Sequence, residues 1–325
     1  MLAVLFPGQA SQEVGMGRDV FEASPAARAV YQSADSCLAE ALPASRGTKL
    51  SKLCFDGPEE ELRRTEIQQP AILTTSIALL RALEEEVGDL APAFVGGHSL
   101  GEYSALVASG ALDFEDAVRT VHLRGRLMQE AVAEGRGAMA AVMGVAAGVV
   151  ADACSLAAAE TGLVVSPANY NSTQQTVIAG DAAAVEIACN KARELGAKRT
   201  VPLPVSAPFH CALMEPAAIQ FELELARLRF SDPSPPVITN VDAEPNVDAA
   251  RIPELLRKQV TAPVRFTDMI VRLKTLGVDR FLEVGPGRVL SSLVARVDRR
   301  ARRANFSGLA NLDEVREFVT GNPAN

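Results

Sequence analysis

Residues 97–101, which read GHSLG, constrain the fold of this chain more than any other feature. They follow the apolar residues 93–95 and precede residues 102–108, whose composition is typical of a helix. The two glycines allow a sharp turn from strand to helix with the oxygen of Ser99 projecting outward. The pattern therefore predicts a nucleophilic serine, with the N–H of Leu100 directed at a developing oxyanion. The alternative is a glycine-rich loop around a buried serine.

Apolar runs alternate with amphipathic stretches along the chain, which favours helices packed on a largely parallel sheet. The pattern predicts strands at residues 2–6, 237–241 and 281–284. It predicts helices at residues 72–87 and at residues 114–132, the second one capped by Asp113. The fold class expected is α/β, with a large subdomain similar to α/β-hydrolases.

The middle of the chain has a pattern of its own. It predicts strands at residues 138–142, 163–168, 175–179 and 199–203, and helices at residues 146–159 and 181–195. The order β-α-β-β-α-β is that of a ferredoxin-like unit. We therefore expect a small subdomain at 133–200, inserted into a large catalytic subdomain made of 1–132 and 201–325. The cleft between them is the expected active site.

Composition restricts the class of protein. The chain has 325 residues, 48% of them hydrophobic, which is enough for a sizeable core. Its net charge of -8 argues against nonspecific nucleic-acid binding. The apolar residues 1–6 are too few for a signal peptide, and no run is long enough for a membrane helix, so a cytoplasmic protein is expected. The five cysteines are widely spaced and fit neither a disulfide framework nor a metal site.

A nucleophilic serine needs a base, and the chain contains three histidines. His98 lies inside the turn, where its side chain is expected to point away from Ser99 and to pack as a supporting group. His122 lies on a predicted helix and is expected at or near the surface. His210 follows residues 204–209, an irregular segment with two prolines in which no helix can form. Loops of this kind often carry catalytic groups, so His210 is the candidate base.

Arg124 lies on the apolar stripe of the predicted helix 114–132. The stripe consists of Phe114, Ala117, Val118, Val121 and Met128. A guanidinium on a buried face requires a partner, because its uncompensated burial is prohibitive. A structural carboxylate and an anionic substrate are both compatible with the sequence at this point.

Several separated blocks of the chain resemble the malonyl-CoA:acyl carrier protein transacylases and the related acyltransferase domains of polyketide synthases. The blocks follow the family order: FPGQASQ at 6–12, QQPAILTTSIAL at 68–79, GHSLGEYSALVASG at 97–110, HLRGRLMQEAV at 122–132, ANYNS at 168–172, VSAPFHCALMEPA at 205–217 and EVGPGRVL at 283–290. The resemblance covers nearly the whole chain. It implies the same two-part fold.

The resemblance also implies roles for individual residues. Ser99 and His210 would form a dyad, and the backbone carbonyl of Gln259 would hold the outer imidazole nitrogen. Gln9 would supply the second oxyanion donor beside Leu100. The family usually has glycine after that glutamine, whereas this chain has Ala10, so a slightly different loop backbone is expected.

The substrate contacts implied by the resemblance centre on Arg124, as a bidentate clamp for the free carboxylate of a malonyl group. Gln69 and Asn169 are further expected contacts. Phe209 is expected beside the acyl group, because a bulky phenylalanine at this place accompanies malonyl preference in the related polyketide acyltransferases.

An acidic acyl carrier protein must meet this acidic chain through a local basic patch. Lys198 and Arg199 are the first candidates, and Arg288 is a weaker one. The arginines at 299, 300, 302 and 303 are interpreted as a solvated helix end and are left out of the patch.

The function expected from the resemblance is transfer of a malonyl group from malonyl-CoA to acyl carrier protein for fatty-acid synthesis. The transfer would pass through a malonyl-serine and would need no metal or redox cofactor. A monomer without nucleic-acid or membrane partners is expected. The alternatives are a free-standing acyltransferase of a polyketide synthase, a serine hydrolase and a noncatalytic carrier-docking module.

Overall fold

The computed structural model describes residues 1–42, 49–205 and 207–321. Its strands are β1 Leu2–Phe6, β2 Phe94–Gly97, β3 Gly137–Met143, β4 Val165–Ser172, β5 Gln175–Asp181, β6 Arg199–Pro202, β7 Val237–Ile238, β8 Pro245–Asn246, β9 Arg280–Val284 and β10 Arg302–Phe306.

The α-helices are α1 Arg18–Ala23, α2 Pro25–Cys37, α3 Leu50–Asp56, α4 Glu59–Leu62, α5 Thr65–Val87, α6 Gly101–Ala108, α7 Phe114–Glu130, α8 Ala147–Thr161, α9 Ala182–Glu194, α10 Glu215–Leu225, α11 Ile252–Thr261, α12 Phe266–Thr275, α13 Val289–Val297 and α14 Leu312–Thr320. None of the helices in the described chain is long and apolar enough to cross a membrane.

The larger sheet has the strand order β10-β9-β1-β2-β7-β8. Its strands run parallel except for β8, which pairs with β7 in the antiparallel sense. Both faces of β1 are buried: Val4 and Phe6 pack in one apolar cluster, and Ala3 and Leu5 pack in another. Burial on both faces explains why this strand is a continuous apolar run rather than an alternating one.

The parallel strands bring four chain segments to one edge of the sheet. The segment after β1 carries Gln9, the segment after β2 carries Ser99, and the segment after β7 carries Asn240. The turn after β9 carries Arg288. Loops at the carboxyl edge of a parallel sheet are where α/β proteins build their sites.

The smaller sheet is antiparallel, with the order β4-β5-β3-β6, and α8 and α9 pack on it. This is the order of a ferredoxin-like unit, as predicted. Strand β4 also contacts the larger unit, since the N–H of Tyr170 donates to the Val264 carbonyl at 2.9 Å. The predicted fold class is confirmed, whereas the boundaries at 133 and 200 stay a prediction.

Helix α5 begins seven residues before the predicted start, and Pro70 lies inside it. A proline has no N–H, so the carbonyl of Glu66, four residues earlier, loses its helical partner. His122 Nδ1 lies 2.9 Å from that carbonyl oxygen and takes the place of the missing donor. The half-buried His122 therefore has a structural role, and Pro70, which lay outside the predicted helix 72–87, is tolerated within α5.

Strand β7 is shorter than the predicted strand 237–241. It ends at Ile238, because Asn240 turns out of the sheet toward Ser99. The side chain of Asn240 accepts the N–H of Ser99 and donates to the Gly97 carbonyl. These two bonds replace the strand pairing that the sequence pattern predicted.

Candidate active site

The turn between β2 and α6 is sharply bent at Ser99, whose φ of 51° lies in the left-handed region. The turn closes because its glycines allow close backbone contact. A Cβ on Gly97 would lie 2.2 Å from the backbone of Gly101, and one on Gly101 would lie 2.0 Å from the carbonyl oxygen of Phe6. Such strain is typical of a functional turn. The strand-turn-helix unit predicted around Ser99 is present.

Ser99 and His210 are hydrogen bonded. The distance from Ser99 Oγ to His210 Nε2 is 2.7 Å, and His210 Nδ1 lies 2.8 Å from the backbone oxygen of Gln259. A carbonyl can only accept, so Nδ1 carries the proton and Nε2 is left as the acceptor for the serine hydroxyl. The sequence-predicted pair and its carbonyl partner thus come together in the geometry of a nucleophile and its base.

His210 is buried, and this burial, together with the nearby charge of Arg124, lowers the pKa of its imidazole to about 3. The imidazole is therefore neutral at physiological pH and ready to accept a proton. An anion that pairs with Arg124 would remove the second of these two causes and make the base stronger.

The loop that carries Gln9 packs directly on the serine turn. A Cβ on Gly8 would lie 2.3 Å from the carbonyl oxygen of His98, so only glycine fits there. Within the described part of the chain, the backbone N–H groups of Gln9 and Leu100 make no hydrogen bond. Two free N–H groups beside a nucleophile are suited to stabilise an oxyanion. The side chain of Gln9 donates to Gln68 at 2.7 Å.

The loop backbone at Ala10 is unusual. Its φ of 71° lies in the left-handed region, which glycine adopts without strain and alanine does not. The structure thus gives a physical reason for the glycine that the family usually has at this position.

Ala10→Gly should stabilise the protein by up to about 1.5 kcal/mol. Relief of the left-handed conformation is worth roughly 1–2 kcal/mol, and the flexibility of glycine in the unfolded chain costs roughly 0.5–1 kcal/mol. Urea unfolding measures the difference. Ala133→Gly is the matched control, because Ala133 is exposed without a positive φ and should only lose stability. If both variants lose the same free energy of unfolding, the backbone at Ala10 is not strained as proposed.

Arg124 is completely buried beside the nucleophile, with 0% of its surface exposed. Its guanidinium donates to Gln69 Oε1 at 2.7 Å, to Gln259 Oε1 at 2.9 Å and to Ser99 Oγ at 3.1 Å. None of the carboxylates of the described residues forms a salt bridge with it. A buried cation whose direct hydrogen-bond acceptors are all neutral is poised to bind an anion.

Unused donors surround this cation. Arg124 Nε and Gln69 Nε2 are buried and have no hydrogen-bond partner within the described chain. An anionic group that entered beside Ser99 would supply the acceptors that these donors lack. The sequence left a structural carboxylate and an anionic substrate open as partners of Arg124. No carboxylate of the described residues binds it directly, so the arrangement favours the anionic substrate.

The other two expected substrate contacts are both buried. Phe209 is buried directly before His210. Asn169 is buried on β4 but makes no hydrogen bond with Ser99, His210 or Arg124. Two positions further along that strand, Asn171 Oδ1 lies 2.9 Å from His98 Nε2, so His98 points away from Ser99 as expected.

Two buried residues of the site were missed by the sequence analysis. Asn240 braces the serine turn through the two hydrogen bonds described above. Glu102 Oε2 accepts from Gln259 Nε2 at 2.6 Å and from the Asn240 N–H at 3.1 Å. Burial raises the pKa of Glu102 to about 7. The one signal in the sequence was a glutamate within an apolar helix, three residues after the serine.

A groove with a volume of about 900 Å³ lies between the smaller sheet and the unit that contains the larger sheet. We call it the arginine groove, since Arg288, Arg296, Arg299 and Arg303 line it, together with residues 143–144 and 172–175. The interpretation of residues 299–303 as a solvated helix end was wrong, because residues 302–306 form strand β10 and two of the arginines face the groove.

The two remaining docking candidates lie at the rim of this groove. Lys198 and Arg199 are exposed, and the Lys198 N–H donates to the carbonyl of Met143, a groove residue, at 2.9 Å. The side chain of Lys198 also packs over Gly144. On its other side the groove approaches the Gln9 loop, where Gly287 faces Ser11. The three sequence-predicted docking residues are thus on one surface.

Comparison with known proteins places this geometry in a family. The acyl transferase domain model matches residues 4–311. The malonyl CoA-acyl carrier protein transacylase of Bacillus subtilis is 48% identical over 93% of this chain and 92% of its own length. The enzyme of the same name from Escherichia coli K12 is 46% identical over 91% of this chain and 92% of its own length.

The solved structures that resemble this chain include enzymes with the same kind of name as these relatives. An acyl carrier protein S-malonyltransferase from Vibrio cholerae superposes with a TM-score of 0.91 at 44% identity, covering 97% of this chain and 99% of that one. A malonyl-transacylase in complex with its type II PKS acyl-carrier protein superposes with a TM-score of 0.91 at 42% identity, covering 99% of both chains. The chain with the Ser99–His210 dyad therefore belongs to the acyl transferase domain family.

Proposed function

We propose that this chain transfers the malonyl group of malonyl-CoA to the phosphopantetheine thiol of acyl carrier protein. The single observation that carries the proposal is the buried Arg124, a cation without a carboxylate partner, 3.1 Å from the oxygen of Ser99. An acyl group with a free carboxylate fits such a site and a neutral one does not. The names of the relatives support the same substrate and acceptor.

In the first half-reaction, His210 Nε2 takes the proton of Ser99 while Oγ attacks the thioester carbonyl carbon. The N–H groups of Gln9 and Leu100 stabilise the oxyanion of the tetrahedral intermediate. Its collapse breaks the carbon–sulfur bond, and the imidazolium returns its proton to the departing thiolate of coenzyme A. The malonyl group is left as an ester on Ser99, with its carboxylate on Arg124.

In the second half-reaction, the carrier's thiol takes the place of coenzyme A. His210 accepts the thiol proton, and the sulfur attacks the ester carbonyl. Collapse of the second tetrahedral intermediate breaks the bond to Oγ, and Ser99 recovers its proton from the imidazolium. These steps need no metal or redox cofactor, because proton transfer and oxyanion stabilisation come from the chain itself.

A serine hydrolase is the competing reaction at the same dyad. It would release free malonate, since water would replace the carrier's thiol. The test is to incubate the protein with malonyl-CoA and a holo carrier protein and to quantify both products. We expect malonyl-carrier as the main product; a predominance of free malonate would overturn the proposal.

We propose fatty-acid synthesis as the pathway, in the cytoplasm and with the enzyme as a monomer. A polyketide carrier is the second candidate, because a similar structure is a complex with a type II PKS acyl-carrier protein. Rates of malonyl transfer to purified carriers of both kinds distinguish the two. A higher kcat/KM for the fatty-acid carrier is expected, and a clear preference for the polyketide carrier would reassign the pathway.

We further propose that the carrier docks at the arginine groove, between the predicted small subdomain 133–200 and the large one. The chain as a whole has a net charge of -8, so an acidic carrier needs a local basic surface. Lys198 and Arg199 add their charges at the rim of this surface to the four arginines that line the groove, of which Arg288 is one. Gly287, next to the lining residue Arg288, faces Ser11 of the segment that carries Gln9, so this end of the groove is the side from which we propose that the phosphopantetheine arm enters.

Reversal of charge at Lys198 and Arg199, or at Arg288, should raise the half-saturating concentration of the carrier and flatten its dependence on salt. Malonylation of Ser99 by malonyl-CoA should change little, so the effect is specific to the second substrate. Steady-state kinetics at several salt concentrations measure both. Arg227→Glu is the control. Arg227 follows α10 and is 77% exposed, and the chain after it contacts residues 109–111, at the end of α6 opposite to Ser99. If the charge reversal at Lys198 and Arg199 and the charge reversal at Arg288 both leave the carrier kinetics unchanged, the carrier docks elsewhere.

A further inference from the structure

Glu102 is a buried carboxyl group for which the proposed reaction has no use. It lies on the first turn of α6, and only 2% of its surface is exposed. The same oxygen, Oε2, accepts two hydrogen bonds, from Gln259 Nε2 at 2.6 Å and from the Asn240 N–H at 3.1 Å. A buried carboxyl group is costly, so its retention beside the nucleophile calls for an explanation.

The first of these bonds determines which way the amide of Gln259 faces. Gln259 Nε2 donates to Glu102 and also to the backbone oxygen of Ser99 at 3.1 Å. Its Oε1 consequently faces Arg124 and accepts from the guanidinium at 2.9 Å. The flipped amide would set an oxygen against two acceptors and an NH₂ group against the guanidinium donors. Glu102 thus excludes the orientation that would repel Arg124.

The second bond acts on the serine turn. Asn240 gives its N–H to Glu102, and its side chain accepts the N–H of Ser99 at 2.6 Å and donates to Gly97 at 2.7 Å. The turn that it braces is strained, and a strained backbone persists only where its surroundings hold it. Glu102 therefore contacts both the group that orients the clamp and the group that holds the nucleophile.

We propose that Glu102 is a positioning residue that aligns Arg124 with the Ser99 ester through Gln259 and Asn240. We assign the role to the position of one acceptor oxygen, because both hydrogen bonds end on Oε2. The inference rests on the proposed malonyl transfer, since its main effect is on the group that would bind the malonyl carboxylate.

Two conservative variants separate acceptor geometry from charge. Glu102→Gln loses the charge, but its carbonyl oxygen can occupy the place of Oε2. Glu102→Asp keeps the charge, but its carboxyl group is one carbon shorter, by about 1.5 Å, and withdraws from both donors. The rate of Ser99 acylation is measured with malonyl-CoA and with acetyl-CoA, because acetyl has no carboxylate for Arg124.

We expect Glu102→Gln to keep at least about a third of the malonyl kcat/KM, and Glu102→Asp to lose about tenfold or more. The malonyl-to-acetyl ratio should fall at least about fivefold in the Asp variant, mainly through KM. A Gln variant that loses as much as the Asp variant, or an Asp variant with an unchanged ratio, would overturn the proposal. Thermal unfolding of both variants separates these effects from a loss of folded protein.

A second measurement tests whether Glu102 acts through Gln259. Gln259→Leu removes the amide but keeps the backbone carbonyl for His210, so it should lower the malonyl-to-acetyl ratio by itself. Adding Glu102→Asp to this variant should then lower the ratio no further. Independent, additive losses would contradict the mechanism. If wild-type protein does not form malonyl-Ser99 at all, the proposed function itself fails, and that result is distinct from any outcome with the variants.

Discussion

Malonylation of the enzyme should slow by about 10²- to 10⁴-fold when His210 is replaced by alanine, the range for loss of a general base. The reason is geometric: His210 Nε2 is 2.7 Å from Ser99 Oγ, and its other nitrogen is held by the Gln259 carbonyl. Without the imidazole, the hydroxyl proton has no acceptor. Rapid-quench measurement of the acyl-enzyme gives the rate directly.

His122→Ala is the matched control for this experiment. His122 caps the Glu66 carbonyl that Pro70 leaves without a helical partner, so its loss should lower thermal stability. It lies outside the dyad, and the acylation rate should stay within a few fold of the wild-type rate. Equal rates for the two histidine variants would remove His210 from the role of base.

The second large effect is expected at Arg124. Arg124→Ala should lower kcat/KM for malonyl-CoA at least about ten- to a hundredfold, because a hydrogen bond to a charged group contributes roughly 1.5–3 kcal/mol. Acetyl transfer should be retained or should increase. Acetyl does not need the clamp, and removal of the Arg124 charge also removes one cause of the lowered pKa of His210.

Two controls accompany this variant. Arg126→Ala removes an exposed arginine from the same helix and should affect neither substrate. Arg124→Lys keeps a positive charge but loses the planar fork, so an intermediate malonyl rate is expected. If the malonyl and acetyl rates fall equally in Arg124→Ala, the arginine is structural and the substrate assignment is wrong.

The sequence predicted those parts of the molecule that depend on local chemistry. Glycines on both sides of Ser99 specify a turn that few other residues could form, and the alternation of runs between 133 and 200 was sufficient to predict the ferredoxin-like order. Arg124 was also visible locally, because it interrupts an apolar stripe on its own helix. Each of these signals lies in a continuous stretch of the sequence and does not depend on contacts with distant segments.

The features that the sequence did not predict all depend on contacts between distant parts of the chain. Asn240 was placed within a strand, because nothing near it indicates that its side chain bonds with Ser99, 141 positions away. Pro70 was expected to lie outside a helix, because its compensation by His122 comes from another helix. Pairings of this kind are fixed by tertiary packing, which a local pattern does not contain.

The arginine groove illustrates the same limit. Its residues come from the turn after β9, from α13, from the loop after it and from β10, and the opposite wall belongs to the smaller sheet. A cluster of arginines in the sequence is compatible with a solvated surface and with a binding groove. Only the packing of α12 and α13 of the larger unit against β4 of the smaller sheet distinguishes these cases.

Detection of the covalent intermediate is the most direct test of malonyl transfer through Ser99. The protein is incubated with malonyl-CoA and without an acceptor, and intact mass and peptide mapping then locate any adduct. We expect a single malonyl ester on Ser99, which disappears when holo carrier protein is added and reappears as malonyl-carrier. A malonyl adduct that persists in Ser99→Ala, or wild-type protein that turns over malonyl-CoA without an adduct on Ser99, would contradict transfer through Ser99.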